Sequence, residues 1–361
     1  MYCPVTLYYS NNCVEKNAEK FSEYGEKFLI VSGKSSAIKS GIISDLEKCN
    51  INFEIFDKIE PNPLISTCYE AGKIAREGGF DCIIGAGGGS AMDAAKAVAI
   101  YATNPEMNPE DIYNRKGCRR CLPVICIGST AGTGSEVTGV SVLTNHKNGR
   151  KQSISGSDCY AAAAFCDWKY TKSMSREVTI STCLDAFAHA VESYLAVNSD
   201  IFSKNYAEKA IRLLYPVLKF LDTNAEITDE IRENQYLGSL FAGLAINCTG
   251  CLFPHTLGYA LTEMFGIPHG RACTAFHPYL VKKAENYAKN SICSIYEFCD
   301  TDKESYLDLI QKLTDVKIPM QRDEILRLAE RWSMGNKNFN KTPGGLDMED
   351  IIAVFSELST K

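Results

Sequence analysis

Short apolar runs alternate with helical periodicity through the first half of the chain. Residues 28–33 are apolar, end in Gly33, and are too few for a helix, so they read as a strand. Residues 34–49 carry apolar positions at helical spacing. A second strand is expected at 52–56, followed by the turn Pro61-Asn62-Pro63 and a helix over 64–77 that Gly78 and Gly79 stop. Residues 80–86 read as a third strand, the alanine-rich 90–102 as a helix, and 123–128 as a fourth strand. Uniformly apolar strands separated by helices predict a parallel sheet covered on both faces. Residues 5–9 read as an edge strand. Beyond about residue 175 the strand signals fade, and a 3.6-residue period runs through 184–197, 204–221, 228–245 and 351–358. The expected organisation is an α/β domain over residues 1–176 and an all-helical domain over 177–361.

Composition narrows the function. A chain of 361 residues with 45% hydrophobic and 23% charged positions buries a full core and is not disordered. Its net charge of −6, without a long basic run, argues against a nucleic-acid partner. No apolar run approaches the ~18–20 residues of a membrane span. The N-terminus lacks a basic stretch followed by an apolar one, so no secretion signal is expected. Sixteen cysteines are many, yet several sit inside apolar strings, as in Asp81-Cys82-Ile83 and Val124-Ile125-Cys126. They read as buried thiols of a cytoplasmic protein rather than a disulfide framework. Two C-x-x-C pairs, Cys118/Cys121 and Cys248/Cys251, lie more than a hundred residues apart. That separation makes a shared zinc site unusual.

Two small-residue segments carry candidate chemistry. The third strand runs into Gly87-Gly88-Gly89-Ser90 and then into a helix. Glycines let a backbone approach an anion closely, and a new helix aims free N–H groups at it. The segment is not a G-x-G-x-x-G fingerprint, and a tight strand–helix turn without a ligand fits it too. The fourth strand leads into Gly128-Ser129-Thr130-Ala131-Gly132-Thr133-Gly134-Ser135-Glu136. Ligands of open α/β sheets bind at the carboxyl ends of strands, so the two loops together point to a nucleotide; a plain surface loop is the alternative for the second.

Only five histidines occur. Asp185 and His189 are four apart in a helical string and share one face. Either they serve a site, or His189 is a satisfied core histidine. His255 and His269 each follow a proline, and Gly266 and Pro268 break the helix between them, so each starts a helix of its own. One carboxylate and three imidazoles suit a divalent ion such as Fe²⁺ or Zn²⁺. His146 reads as a surface residue, and His277 as a core or helix-end histidine.

At this point the chain resembles the iron-containing (group III) alcohol dehydrogenase family, and its butanol dehydrogenases in particular. The resemblance rests on Pro61-Asn62-Pro63, on Gly87–Ser90 with Asp93 and Lys96, and on Thr133-Gly134-Ser135-Glu136. It continues through Asp185-x-x-x-His189, Pro254-His255 and Pro268-His269-Gly270. It implies a dehydroquinate-synthase-like architecture, with an α/β dinucleotide-binding domain and an all-α domain. It implies Asp185, His189, His255 and His269 as metal ligands and Gly87, Gly88, Gly89 and Ser90 as pyrophosphate binders. Asp93, Thr130, Thr133 and Lys151 fall where the family contacts or neighbours its cofactor. Two positions depart from the pattern. Tyr259 stands where many members have a further histidine, so any proton relay or nicotinamide contact there falls to a phenol. The turn Gly33-Lys34-Ser35-Ser36 stands where NAD-preferring members often carry an aspartate, which favours NADP, with NAD as the alternative.

The expected activity is hydride transfer between nicotinamide and a small alcohol or aldehyde, with the metal as Lewis acid. Two other readings compete with it. A sugar-phosphate cyclase or lyase of the dehydroquinate-synthase type would call for basic residues to hold a substrate phosphate, and Arg271 is the only base near the histidines. A non-enzymatic metal-binding protein leaves both loops unexplained. A homodimer is expected, largely from the resemblance.

Overall fold

The computed structural model describes residues 2–115, 121–332 and 334–359. Cys118, of the first C-x-x-C pair, lies outside them. The chain divides into two compact units, Tyr2–Ser175 and Arg176 onward.

In the first unit the strands are β1 (Thr6–Tyr9), β2 (Phe28–Val31), β3 (Phe53–Phe56), β4 (Cys82–Gly87), β5 (Val124–Gly128), β6 (Val140–Thr144), β7 (Lys151–Ser155) and β8 (Ala163–Cys166). Six form one sheet in the order β1-β8-β5-β4-β2-β3, and every pair in it is parallel. The central strands β2, β4, β5 and β8 are buried at every position, which is why the first three read as unbroken apolar runs. β6 and β7 form a separate antiparallel pair. Helix α1 (Ile65–Glu77) follows β3, and α2 (Gly89–Thr103) follows β4. On one side of the sheet, Phe21 stacks on Phe165 with ring centres 4.4 Å apart.

The structure departs from the sequence pattern in two places. Residues 34–49 do not form one helix: Gly41 at φ 88° separates Ser36–Lys39 from Ile42–Lys48. The sheet also has a central strand, β8, that the pattern did not show. Ala163-Ala164-Phe165-Cys166 has little intrinsic β preference, and burial between β5 and β1 decides its conformation. The segment expected at 5–9 is β1, at the sheet's edge.

The sheet changes direction of winding at β2, with β3 added on one side and β4 on the other. The carboxyl ends of β2 and β4 therefore flank the crevice where open α/β sheets hold ligands.

Among the described residues, the second unit is helical apart from an isolated bridge between Ile318 and Ser359. Its first helices are α3 (Arg176–Leu195), α4 (Ile201–Leu221), α5 (Asp229–Thr249), α6 (Phe253–Phe265), α7 (His269–Thr274) and α8 (His277–Tyr287). Their boundaries are chemical. The Asp200 carboxylate caps α4 by accepting from Ser203 N at 2.8 Å, and Thr228 caps α5. Gly250 ends α5 and Gly266 ends α6, both at positive φ. One apolar core, which includes Leu184, Phe187, Leu214, Leu257 and Phe276, joins these helices. No single helix among the described residues is long and apolar enough to cross a membrane.

Candidate metal centre and dinucleotide site

In the helical unit, Asp185, His189 and Glu192 occupy one face of α3, at spacings of four and three. All three are buried. His255 sits in the first turn of α6, set by Pro254, and His269 opens α7 after Pro268. Gly270 lets α7 lie against α3. A Cβ at that position would fall 1.8 Å from Ser181 O and 2.9 Å from Asp185 N. The glycine beside His269 is therefore what admits the imidazole to the neighbourhood of Asp185.

The structure brings Asp185, His255 and His269 together. Asp185 Oδ1 lies 3.4 Å from His255 Nε2 and 3.8 Å from His269 Nε2. Neither Asp185 Oδ1 nor His255 Nε2 makes a hydrogen bond, although both are buried. His189 stacks on His255 with ring centres 4.2 Å apart, and falls outside the group formed by Asp185, His255 and His269. The Tyr259 ring stacks on His269 at 5.6 Å.

Glu192, which the sequence reading passed over, orders this group. Its Oε1 lies 2.6 Å from His255 Nδ1, and its Oε2 accepts from Leu252 N at 2.6 Å, at the start of α6. Both oxygens are used, which is how a fully buried carboxylate is tolerated. With Nδ1–H donated to Glu192, His255 presents the Nε2 lone pair to Asp185, the tautomer a metal ligand needs. The signal that finds Glu192 is its spacing, seven residues after Asp185 and three after His189. Two thiols also stand here. Cys273 groups with Asp185, His255 and His269, and Cys251 groups with His189 and His255. Cys251 belongs to the second C-x-x-C pair, and Cys273 carried no motif of its own.

The electrostatics favour positive charge. Burial would raise the Asp185 carboxyl, but His189, His269 and His255 outweigh it and hold the group far below the usual carboxylate range. Burial would lower His255, yet Cys273, Glu192, Cys251 and Asp185 outweigh it and raise the imidazole well above its ordinary value. A buried pocket whose electrostatics favour positive charge, and in which Asp185 Oδ1 and His255 Nε2 converge without hydrogen-bond partners, fits a cation. The donor types, carboxylate and imidazole, are those of a divalent transition ion.

The remaining histidines sit apart. His277 is buried at the start of α8, with Nε2 2.6 Å from the Tyr306 hydroxyl, and burial pushes its pKa down to about 4. His146 lies partly exposed beside Glu110.

The α/β unit gathers the other candidate residues at one end of the sheet. Gly87 ends β4 at φ 143°, and a Cβ there would meet Ser36 Oγ at 3.0 Å. Gly88 faces Thr130, and Gly89 faces Thr133, whose methyl a Cβ would meet at 2.5 Å. Gly87, Gly88, Gly89, Ser36, Thr130 and Thr133 thus line one cradle around the first turn of α2. Ser90 Oγ accepts from Asn62 N, so the Pro61–Pro63 turn is tied to the same helix start. Gly33 is half-buried, and Lys34 and Ser35 are exposed beside Ser36.

Asp93 and Lys151 are placed differently. The Asp93 carboxylate accepts from Ser135 Oγ at 2.6 Å and from Val142 N at 2.8 Å, so it fastens the loop after β5 to α2. Lys96, wholly buried, donates to Ser135 O, Thr138 O and Val140 O at 2.7–3.0 Å and finishes that fastening. Lys151 opens β7 opposite Thr144.

Comparison with known proteins defines the class. Residues 4–168 match the model of the iron-containing alcohol dehydrogenases, and residues 179–354 match the C-terminal domain of the same family. Long-chain-alcohol dehydrogenase 1 of Geobacillus thermodenitrificans is 34% identical over 71% of this chain and 66% of its own length. NADPH-dependent butanol dehydrogenase of Clostridium saccharobutylicum is 29% identical over 79% of this chain and 75% of its own. The crystal structure of an iron-containing alcohol dehydrogenase from Thermotoga maritima superposes with a TM-score of 0.91 at 34% identity. It covers 99% of this chain and 98% of that one. The chain belongs to the iron-containing alcohol dehydrogenase family, whose members are NAD(P)-linked oxidoreductases of alcohols and aldehydes. The cyclase and non-enzymatic readings fall away with that membership.

Proposed function

We propose that this protein interconverts a small alcohol and its aldehyde with NADP as the preferred hydride carrier, using one divalent ion, Fe²⁺ or Zn²⁺. The observation that carries the reading is the pair of buried, unbonded donors Asp185 Oδ1 and His255 Nε2, which face each other at 3.4 Å with His269 beside them. Asp185, His189, His255 and His269 are the residues that would hold the ion. Such an ion supplies Lewis acidity, which polarises a carbonyl and acidifies an alcohol. Glu192 keeps His255 in the ligating tautomer. Tyr259, stacked on His269, offers a hydroxyl where a proton can be passed to or from the substrate oxygen. In the α/β unit, the glycine turn leaves the N–H groups of α2 open to a pyrophosphate.

The cofactor preference rests on the turn after β2. Gly33-Lys34-Ser35-Ser36 contains no carboxylate to repel a 2′-phosphate, and Lys34 is exposed to meet one. The Clostridium relative is named as NADPH-dependent. A charge-assisted hydrogen bond contributes about 1.5–3 kcal/mol and an exposed charge about 1, so the preference is roughly tenfold to a hundredfold. Abundant free thiols support a cytoplasmic location. The edge strand β1, with Leu7 and Tyr9 exposed, supports a homodimer. Light scattering should then give twice 39.8 kDa, and the monomer mass at micromolar concentration would overturn the dimer.

The test of function pairs butanal reduction, followed at the reduced-nicotinamide absorbance, with metal analysis. Wild type should turn over with NADPH and carry one ion per chain. His269→Ala should lose most of both. A metal-free His269→Ala protein with full activity would end the proposal.

A further inference from the structure

The donor group in the helical unit contains sulfur. Cys273 follows His269 by four residues on α7, so both side chains leave one helix face. Its Sγ lies 3.7 Å from both His269 ring nitrogens. Asp185, His255, His269 and Cys273 each present a ligand atom, and all four atoms lie within 4.8 Å of one another. A tetrahedral ion bound at ~2.0–2.1 Å to nitrogen and oxygen, and ~2.3 Å to sulfur, sets its donors about 3.4 Å apart, or about 3.6 Å where sulfur is one of them. The corresponding separations here are 3.4 Å for Asp185–His255 and 3.8 Å for Asp185–His269, and Cys273 Sγ lies within 4.8 Å of all three. The chain also leaves space for the sulfur. Gly258, one turn after His255 on α6, faces it, and a Cβ there would lie 2.9 Å from Cys273 Sγ. Asp185 Oδ1 and His255 Nε2, both deeply buried, converge on the same point without hydrogen-bond partners.

We propose that Cys273 is a ligand of this metal centre, so that the protein binds its divalent ion partly through a thiolate. The proposal rests on the reading of the cluster as a metal site and puts Cys273 in place of His189, which lies outside the four-atom group, as its fourth donor. On binding, the thiol proton leaves to solvent and sulfur donates an electron pair to the ion. A soft donor shifts selectivity toward Zn²⁺ and Co²⁺ relative to Fe²⁺.

Cobalt reads this directly. Metal-stripped, full-length protein is titrated anaerobically with Co²⁺ while the near-ultraviolet sulfur-to-cobalt charge-transfer band and the visible ligand-field bands are recorded. Wild type should show both, saturating at one equivalent. Cys273→Ala should keep the visible bands and lose the near-ultraviolet one, and Cys251→Ala should keep both. Zn²⁺ affinity of Cys273→Ala should fall at least tenfold, since even outer-shell losses cost about 10–100-fold. Bound cobalt without a charge-transfer band in wild type overturns the sulfur ligand and leaves the metal centre standing. So does a band that survives in Cys273→Ala. Failure of wild type to bind cobalt overturns the metal reading and the sulfur ligand with it. If Cys273→Ala does not fold, Cys251→Ala decides: a charge-transfer band that survives there assigns the sulfur to Cys273, and one that disappears overturns the proposal.

Discussion

Gly270→Ala tests how the fold delivers His269 to Asp185. The added Cβ would stand 1.8 Å from Ser181 O, where ordinary contact begins at 3.4 Å. Helix α7 must therefore retreat from α3 by up to 3.4 − 1.8 = 1.6 Å, or α3 must bend. Backbone lies on both sides of the clash, so no side-chain rotation relieves it. Overpacking of this kind costs about 1–3 kcal/mol, which for a unit of this size lowers Tm by roughly 2–12 °C. The effect on the site is larger. Metal–ligand distances are fixed to about 0.2 Å, and a misplacement near 1 Å costs about a hundredfold in rate. The variant should hold little metal at concentrations that saturate wild type, and activity should fall about a hundredfold or more. The assay is differential scanning fluorimetry beside Zn²⁺ and Fe²⁺ titration of stripped protein. A Gly270→Ala protein that melts and binds metal like wild type would show that α7 is not held by this backbone contact.

Other residues give shorter tests. Glu192→Gln keeps the shape but weakens the hold on His255, and metal affinity should drop about 10–100-fold, as measured by competition with a chelator; unchanged affinity would make Glu192 only a cap for α6. His277 is buried and neutral, with its pKa pushed from 6.5 down to about 4. Protons therefore bind the unfolded chain preferentially, and the stability this residue contributes is full above pH 6.5 and lost as pH falls toward 4. The loss should be about 3 kcal/mol for this unit in denaturant titrations across that range, and His277→Gln should flatten it. A wild type with no slope in that window would refute the assignment. Gly33→Asp should tilt the cofactor ratio toward NAD by about tenfold or more, although its Cβ sits 3.2 Å from Ile59 O; steady-state kinetics with both cofactors check it, and an unaltered ratio would remove the turn as selector.

Much of the fold was legible because burial leaves a periodic trace. β2, β4 and β5 are covered on both faces, so their residues had to be apolar throughout, and the helices of the second unit carry a 3.6-residue stripe. β8 left no such trace, since Ala163 and Ala164 are small enough to suit helix, turn or strand. The break at Gly41 was hidden because Ile42, Ile43 and Leu46 continue the helical spacing across it. The site divides in the same way. Asp185 and His189 announced themselves by local spacing, and His255 and His269 by their prolines. Cys273 did not, because only the packing of α7 against α3 brings its sulfur to the imidazoles, and the C-x-x-C of Cys251 gave no sign that its partners are histidines. Asp93 belongs to the segment carrying the cofactor motif, yet its oxygens are engaged by Ser135 and Val142, a contact between positions over forty residues apart.

The central claim is that Asp185, His255 and His269 hold an ion on which turnover depends. Stripped wild-type protein should be inactive toward butanal and NADPH. Under anaerobic addition of Fe²⁺ or Zn²⁺, activity should rise in proportion and level off at one equivalent per chain, while Asp185→Ala shows no such rise. Full activity in the stripped wild type, or the same titration curve in Asp185→Ala, would contradict the account.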